Sequence, residues 1–252
     1  MLSFDSLMSP ATIDGSTIYF RKWHPDIHLP NNPPWRGFSN LVRWTKEDGI
    51  FHEQSFDFSF EDPRAFLFRG QTHLIFHNQK QMVLWNLIDG FVPLKPPSGF
   101  MRHDEKNWSP YQYPSNDLIL VYSISPLVVL ICDPIEGKII TELGEKKYRG
   151  LIGNARGGTP FLNGKALGHH VELRPTIGND IRWYTPFAVE LDIRNLSCIL
   201  YPPFEFEQFR GHRIQFPTTL TENLVGGHID DSFSFITSSL KEKDNAASFE
   251  SA

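Results

Sequence analysis

The sequence predicts an all-β protein, a single-domain five-bladed β-propeller over residues 1–239 followed by a flexible polar tail at 240–252. Three observations carry that prediction. No window of about 12 residues repeats its apolar positions at spacings of three and four, the pattern an amphipathic helix requires. Short apolar runs bounded by Gly, Pro, Asn and Asp pair into hairpins instead, and the hairpins recur about every 45 to 50 residues, the spacing of four-stranded propeller blades. Polar, motif-like segments stand at the start of successive units, as expected where loops converge on one central cavity; a β-sandwich of similar length is the alternative and lacks that convergence. No sequence repeat accompanies the spacing.

In chain order, the first strand is expected at 17–21, followed by a Pro-rich loop over 24–35 and a second strand at 40–44. Residues 66–68 and 73–76 are aromatic and β-branched and flank Arg69-Gly70-Gln71, which reads as a hairpin. A strand at 81–87 ends at Asp89-Gly90. The stretches 117–122 and 127–132 turn at Ser125-Pro126, and both are nearly continuous apolar runs, so both of their faces should be covered. Asn163-Gly164, between 158–162 and 166–172, is the strongest short hairpin signal in the chain. Segments 185–193 with 198–201, and 224–229 with 232–236, complete the set. Residues from 240 on are small and polar and read as a frayed end.

Composition excludes several function classes. A net charge of −5 and the absence of a basic stripe argue against a nucleic-acid partner. No apolar run approaches the roughly 20 residues of a membrane helix, and residues 1–15 lack a basic region followed by an apolar one, so neither membrane insertion nor secretion is expected. Two cysteines, Cys132 and Cys198, suit a reducing, cytoplasmic compartment as free thiols. No ligand spacing points to a metal site, no nucleophile elbow is present, and no glycine-rich phosphate loop opens a helix.

The segment with most chemistry is Glu61-Asp62-Pro63-Arg64. Proline fixes its own φ and is expected to hold Asp62 extended, so that two carboxylates and a guanidinium stand at the start of a strand. Taken alone, it reads first as an ion pair tying a loop to a strand, since structural ion pairs are common. Four other places share its character. Asp104 to Tyr111 gathers Glu105, Lys106, Asn107 and two aromatics; Arg156-Gly157-Gly158-Thr159-Pro160 sets a guanidinium beside two glycines that would let a ligand approach the backbone. His169 and His170 share a strand, so only one of them can face a common cavity. Tyr184 and Asp231 complete the set.

Taken in order, Glu61-Asp62-Pro63-Arg64, Glu105-Lys106-Asn107, Arg156-Gly157-Gly158-Thr159-Pro160, the His169-His170 strand and residues 184–203 resemble the five-bladed β-propeller enzymes of glycoside hydrolase family 130. These are β-mannoside phosphorylases and related mannosyltransferases. The resemblance spans residues 10–238. It implies Asp62 as general acid and a phosphate held by Arg64, Lys106, Arg156, His169 or His170, and Tyr184. The chain departs from the family pattern in its Arg-Gly-Gly-Thr-Pro segment and in a short amino-terminal blade, and both departures bear on phosphate use.

Glycoside cleavage requires a proton donor at the leaving oxygen and a nucleophile on the opposite face of the sugar. With Asp62 as donor, Glu61 would raise its pKa and Arg64 lower it. A phosphate nucleophile needs only a cationic clamp. The expected function is therefore a glycoside phosphorylase or glycosyltransferase acting on β-mannosides or similar sugars. Its catalytic residues would be Asp62 and Glu105, and Glu61, Arg64, Lys106, Asn107, Arg156, His169, His170, Tyr184 and Asp231 would bind phosphate or substrate. No cofactor is expected beyond inorganic phosphate as co-substrate, and the partner is an oligosaccharide or sugar phosphate. The alternatives are a hydrolase of the same fold, with Glu105 or Glu172 activating water, and a sugar-binding propeller without catalysis. Trp108, Tyr111 and Trp183 are candidates for stacking on sugar rings, or else core residues.

Overall fold

Strand follows strand from Leu2 to Ser238 in a computed structural model that describes residues 2–5, 7–28, 37–88, 90–95, 107–112, 117–144, 155–175 and 180–238. The strands fall into antiparallel meanders. The first is β2 (Leu7–Thr12), β3 (Thr17–His28), β4 (Gly37–Glu47) and β5 (Ile50–Ser59), after an initial strand β1 (Leu2–Asp5). The second is β6 (Glu61–Phe68), β7 (Gln71–His77), β8 (Met82–Trp85) and β9 (Phe91–Pro93). The third is β10 (Ser109–Gln112), β11 (Leu118–Ile124), β12 (Leu127–Cys132) and β13 (Ile139–Gly144). The fourth holds β14 (Ala155–Gly157) and β15 (Phe161–Leu162), both paired with β16 (Lys165–Pro175), then β17 (Asp180–Asp192) and β18 (Ser197–Leu200). Finally β19 (Gln215–Leu220), β20 (Leu224–Ile229) and β21 (Phe233–Ser238) take β1 as their fourth strand.

That last pairing matters most for the architecture, because the first strand of the chain completes the last sheet and closes the ring. The fold is a β-propeller. Among the described residues the meanders number five but the sheets four, since β10 pairs in parallel with β15 and merges the third and fourth meanders into one nine-stranded sheet.

The hydrophobic core explains the ring. Among the described residues the buried apolar side chains form clusters that each bridge neighbouring meanders. Tyr19 and Leu41 meet Phe60 and Phe76; Phe66 and Leu84 meet Trp108, Leu118 and Leu130; Ile119 and Val121 meet Phe161 and Phe187. Leu167 and Phe206 meet Phe235, and Ile236 meets Leu7 and Phe20. Strand β11 shows the rule: Leu118 and Leu120 face one neighbour, Ile119 and Val121 the other, and every residue is buried. The apolar runs at 118–124 and 127–132 are therefore double-faced, as expected for strands covered on both sides.

Tight turns set the registers. Asn163 and Gly164 both hold positive φ (50° and 80°), as do Arg69 and Gly70 (51° and 73°), the backbone of a two-residue hairpin turn whose twist matches its strands. Two expectations are corrected. The strand at 17–21 is the third, not the first, because Leu2–Asp5 and Leu7–Thr12 precede it, with polar and proline positions that hide their strand character. The anticipated loop from residue 24 is strand as far as His28, so the first meander has the longest strands of its end of the chain and is not short. The expected tail, 240–252, lies outside the described residues.

Candidate active site

The innermost strand region of every meander carries a proline, at positions 10, 63, 110, 160 and 217, each 47 to 57 residues from the next. Proline cannot donate to a sheet ladder; β2, β6 and β19 are edge strands, where no donor is needed, and in β10 the pairing with β15 begins after Pro110, at Tyr111. This is a sequence repeat of the fold, reduced to one residue per unit. Three of the prolines sit at β-bulges, between Met8 and Ala11, between Glu61 and Arg64, and between Pro217 and Thr219. Bulges re-aim side chains and gather beside active sites.

At the second of these bulges Asp62 has φ +50°, left-handed rather than the extended conformation that a following proline favours. The bulge overrides the local preference, and aspartate is among the residues that tolerate this region. The turn lifts the Asp62 carboxylate off the strand, leaving it 14% exposed. Ser9, before Pro10 in β2, has the matching φ of +52° and is fully buried.

Charged groups converge on Asp62. Arg21 of β3 stands 3.7 Å from Asp62 Oδ1 and 3.8 Å from Glu61 Oε1. Ser9 Oγ donates to Asp62 Oδ1 over a long 3.4 Å, and the same oxygen lies 3.0 Å from His228 Nδ1. His228 Nε2 is in turn 3.1 Å from Asp231 Oδ1. Burial pushes the Asp231 carboxyl up, but the His228 hydrogen bond and charge and the nearby Arg21 outweigh it, so the net shift is downward. Glu61 is only 1% exposed, its carboxylate 3.9 Å from His77 Nδ1 and accepting from Gln79 Nε2 at 3.4 Å. It supports its neighbours and does not face solvent.

Arg64, two residues from Asp62, is fully buried and has a different role. Its Nε donates to Gly158 O, one terminal nitrogen to Asp62 O at 2.8 Å, and the other to Asn107 Oδ1 at 3.0 Å. A guanidinium has five N–H groups, so at most two remain for a ligand. Burial lowers its pKa to about 10, opposed by Asp62, and the group stays charged at neutral pH. Gly157 and Gly158 serve the same junction. A Cβ on Gly157 would lie 2.4 Å from Asn107 O and 2.5 Å from Ser109 Oγ, and one on Gly158 would lie 2.5 Å from Leu167 O. The glycines admit neighbouring strands, not a ligand, which corrects the sequence expectation.

Opposite this junction, β14 pairs Arg156 with His169 of β16. His169 is 1% exposed, its Nδ1 buried with no hydrogen-bond partner among the described residues. Burial, then the charges of Arg156 and Arg64, hold the imidazole well below its ordinary range; Asp62 pulls the other way and His228 adds to the lowering. The ring lies 5.3 Å from that of Tyr184 and 4.5 Å from Phe216, and Phe216 stacks on His228 at 4.9 Å. Asp62, Arg64, Asn107, Arg156, His169, Tyr184 and Asp231 are thus brought together. His170 is not, because alternation turns it to the other face, against Phe187. Glu172 shares that outward side and pairs with Arg174. Glu105 and Lys106 lie outside the described residues.

Of the three expected sugar-stacking aromatics, Trp108 and Tyr111 belong to the core, and Trp183 already has the Arg174 guanidinium 3.9 Å over its ring. Sequence reasoning missed Ser9, Arg21, Trp23 and His228. Trp23 is 36% exposed on the same face of β3 as Arg21, one step further out. The proline repeat is the signal that would have found Ser9, since Ser9-Pro10 and Asp62-Pro63 occupy equivalent places. Nothing local marks Arg21 or His228.

No family model matches the chain, and no curated protein matches it in sequence. Solved structures do match in fold. A GDP-Man-dependent mannosyltransferase from Leishmania mexicana aligns with a TM-score of 0.58 at 12% identity, over 96% of this chain and 87% of its own. A mannose phosphorylase from the same organism, solved with a phosphate ion, aligns at 0.53 and 14% identity over 92% and 82%. A family 43 arabinoxylan arabinofuranohydrolase from Bacillus subtilis aligns at 0.53 and 10% identity over 88% and 58%. These likenesses establish the propeller fold that the chain shares with sugar-processing enzymes.

Proposed function

We propose that this chain is a carbohydrate-active enzyme that transfers a glycosyl group to or from phosphate or a sugar acceptor, on β-mannosides or similar sugars, with Asp62 as general acid. The observation that carries this reading is the partly exposed Asp62 carboxylate, raised on a bulge among Arg21, Arg64, Arg156, His169 and His228. A partly exposed acid beside guanidinium groups suits a leaving oxygen to protonate next to an anion to hold. Arg156 is the chief candidate for the anion, because Arg64 is largely committed to protein acceptors. The activities named for two of the fold neighbours agree with the reading. Trp23, exposed on the strand face that carries Arg21, is a candidate for stacking on the sugar, and the free thiols fit a cytoplasmic protein.

The hydrolase alternative requires a second carboxylate about 6.5–9.5 Å from the acid. Among the described residues Glu172 is turned away and Asp231 is engaged by His228, so the alternative depends on Glu105, which lies outside them. The test is incubation with mannose 1-phosphate or a nucleotide-activated mannose and a panel of acceptors, while phosphate is titrated through the millimolar range. Chain extension that responds to phosphate and is lost in Arg156→Ala supports phosphorolysis. Extension indifferent to phosphate supports direct transfer, and no extension with any donor overturns the reading.

A further inference from the structure

A general acid must carry a proton before it can deliver one. Counting donors along the chain Asp62, Ser9, His228, Asp231 shows where that proton can reside. Serine has one hydrogen to give. When Asp62 is ionised, Ser9 donates to Asp62 Oδ1 and must accept from His228 Nδ1–H, while the Asp231 carboxylate accepts from Nε2–H, so the imidazole carries both protons. When Asp62 is protonated, it donates to Ser9, Ser9 donates to Nδ1, and the imidazole is neutral. One proton is shared, and the two arrangements differ only in its place.

We propose that Ser9 and His228 form a proton wire to Asp62, in which the buried imidazole holds the proton that Asp62 delivers and Asp231 fixes the imidazole. The proposal rests on the reading of Asp62 as the acid. In one shift the Nδ1–H and Ser9 O–H bonds break, new Ser9 O–H and Asp62 O–H bonds form, and one positive and one negative charge cancel. The setting of His228 suits a proton store, since it is 3% exposed, stacked on Phe216 at 24° between planes, and both ring nitrogens are engaged. Asp231, with its side chain 51% exposed, is the solvent end. The arrangement is not an acyl-transfer triad, because Ser9 is fully buried and faces Nδ1, whereas in such triads the hydroxyl faces Nε2.

The charged groups around the wire are Arg21 from β3, Glu61 and Arg64 from β6, Arg156 from β14 and His169 from β16. They act through space whether or not Ser9 is present, so the test isolates the hydroxyl. The His228 titration is followed by NMR in four full-length proteins: wild type, Asp62→Asn, Ser9→Gly and the double variant. Glycine is the primary substitution because it relaxes at φ +52°, and Ser9→Ala is the second. The expected result is that Asp62→Asn moves the His228 midpoint by about one unit when residue 9 is serine and by less than half of that when it is glycine or alanine. An equal movement in both backgrounds, or none, overturns the wire. This readout needs no substrate, so it fails independently of the acid assignment. In the transfer assay, Ser9→Gly is expected to lower kcat about 10-fold with KM unchanged.

Discussion

The strand β6 joins two junctions built in opposite ways. Toward the first meander, contact is made by side chains at a distance: Ser9 to Asp62 at 3.4 Å and Arg21 to both carboxylates at 3.7 to 3.8 Å. Toward the third and fourth meanders, contact is made by Arg64 on Asn107 Oδ1 and Gly158 O and by glycines without room for a Cβ. The loose junction leaves its charges partly hydrated and able to meet a ligand. The tight junction consumes its charge in holding strands together. Asp62 and Arg64, two residues apart, thus differ in exposure, one partly open among charged side chains and one buried on protein acceptors, and the difference follows from the bulge between them.

Substitutions on the two sides should separate activity from stability. Asp62→Asn is expected to lower glycosyl transfer by about 10²- to 10⁴-fold, since an amide cannot donate the proton. Its unfolding free energy should stay within about 1 kcal/mol of wild type, because the amide keeps the side chain's volume and an acceptor for Ser9 and loses only a partly exposed ion pair with Arg21. Turnover and denaturant melts on the same preparation check both halves, and wild-type activity in this variant would remove the acid assignment.

Arg64→Met should do the reverse. It leaves Gly158 O, Asp62 O and Asn107 Oδ1 without their donor, and a loss of about 3 kcal/mol follows from the cost of buried unsatisfied acceptors. For a chain of this size that lowers Tm by roughly 6–12 °C. A melting curve unchanged by the substitution would show that the tight junction is not held by Arg64.

Gly157→Ala sharpens the same comparison on a smaller scale. Overpacking against Asn107 O and Ser109 should cost about 1–3 kcal/mol. Alanine at Gly49, where an added Cβ meets nothing within 4 Å, isolates the effect of positive φ without crowding. A Gly157→Ala protein as stable as wild type would mean that close approach contributes nothing of its own, because Gly157 is not at positive φ and carries no such strain.

The smallest effect is a slope. The His169 pKa is lowered in the folded state, so the unfolded chain binds a proton more readily. Stability from this group is complete above the unfolded value of about 6.5 and is lost as pH falls below it, by at most about 1.4 kcal/mol per pH unit. Denaturant unfolding between about pH 7.5 and 5 should show that decline in wild type and a flatter profile in His169→Gln. Asp231 acts in a separate window, because its lowered pKa matters only below about 4.

The sequence by itself determined the strand content, the hairpin turns and the residue types of the site. Turn chemistry and double-faced apolar runs are local: Asn163-Gly164 adopts its backbone for reasons carried by two residues, and 118–132 is apolar because both faces are covered. Charged motifs such as Glu61 to Arg64 are legible for the same reason. Only the tertiary structure decided which of those residues meet. His169 faces the axis and His170 does not because β16 has one register on β14 and β17. Ser9 and His228, 219 positions apart, touch because β1 closes the ring on β21 and brings the first meander against the last. Arg64 and Asp62 look alike as neighbours in a charged motif, yet one is buried and one lifted out, because a bulge in β6 rotates the backbone between them. Pairing partners and bulges are properties of strands in contact, and a single chain read residue by residue does not contain them.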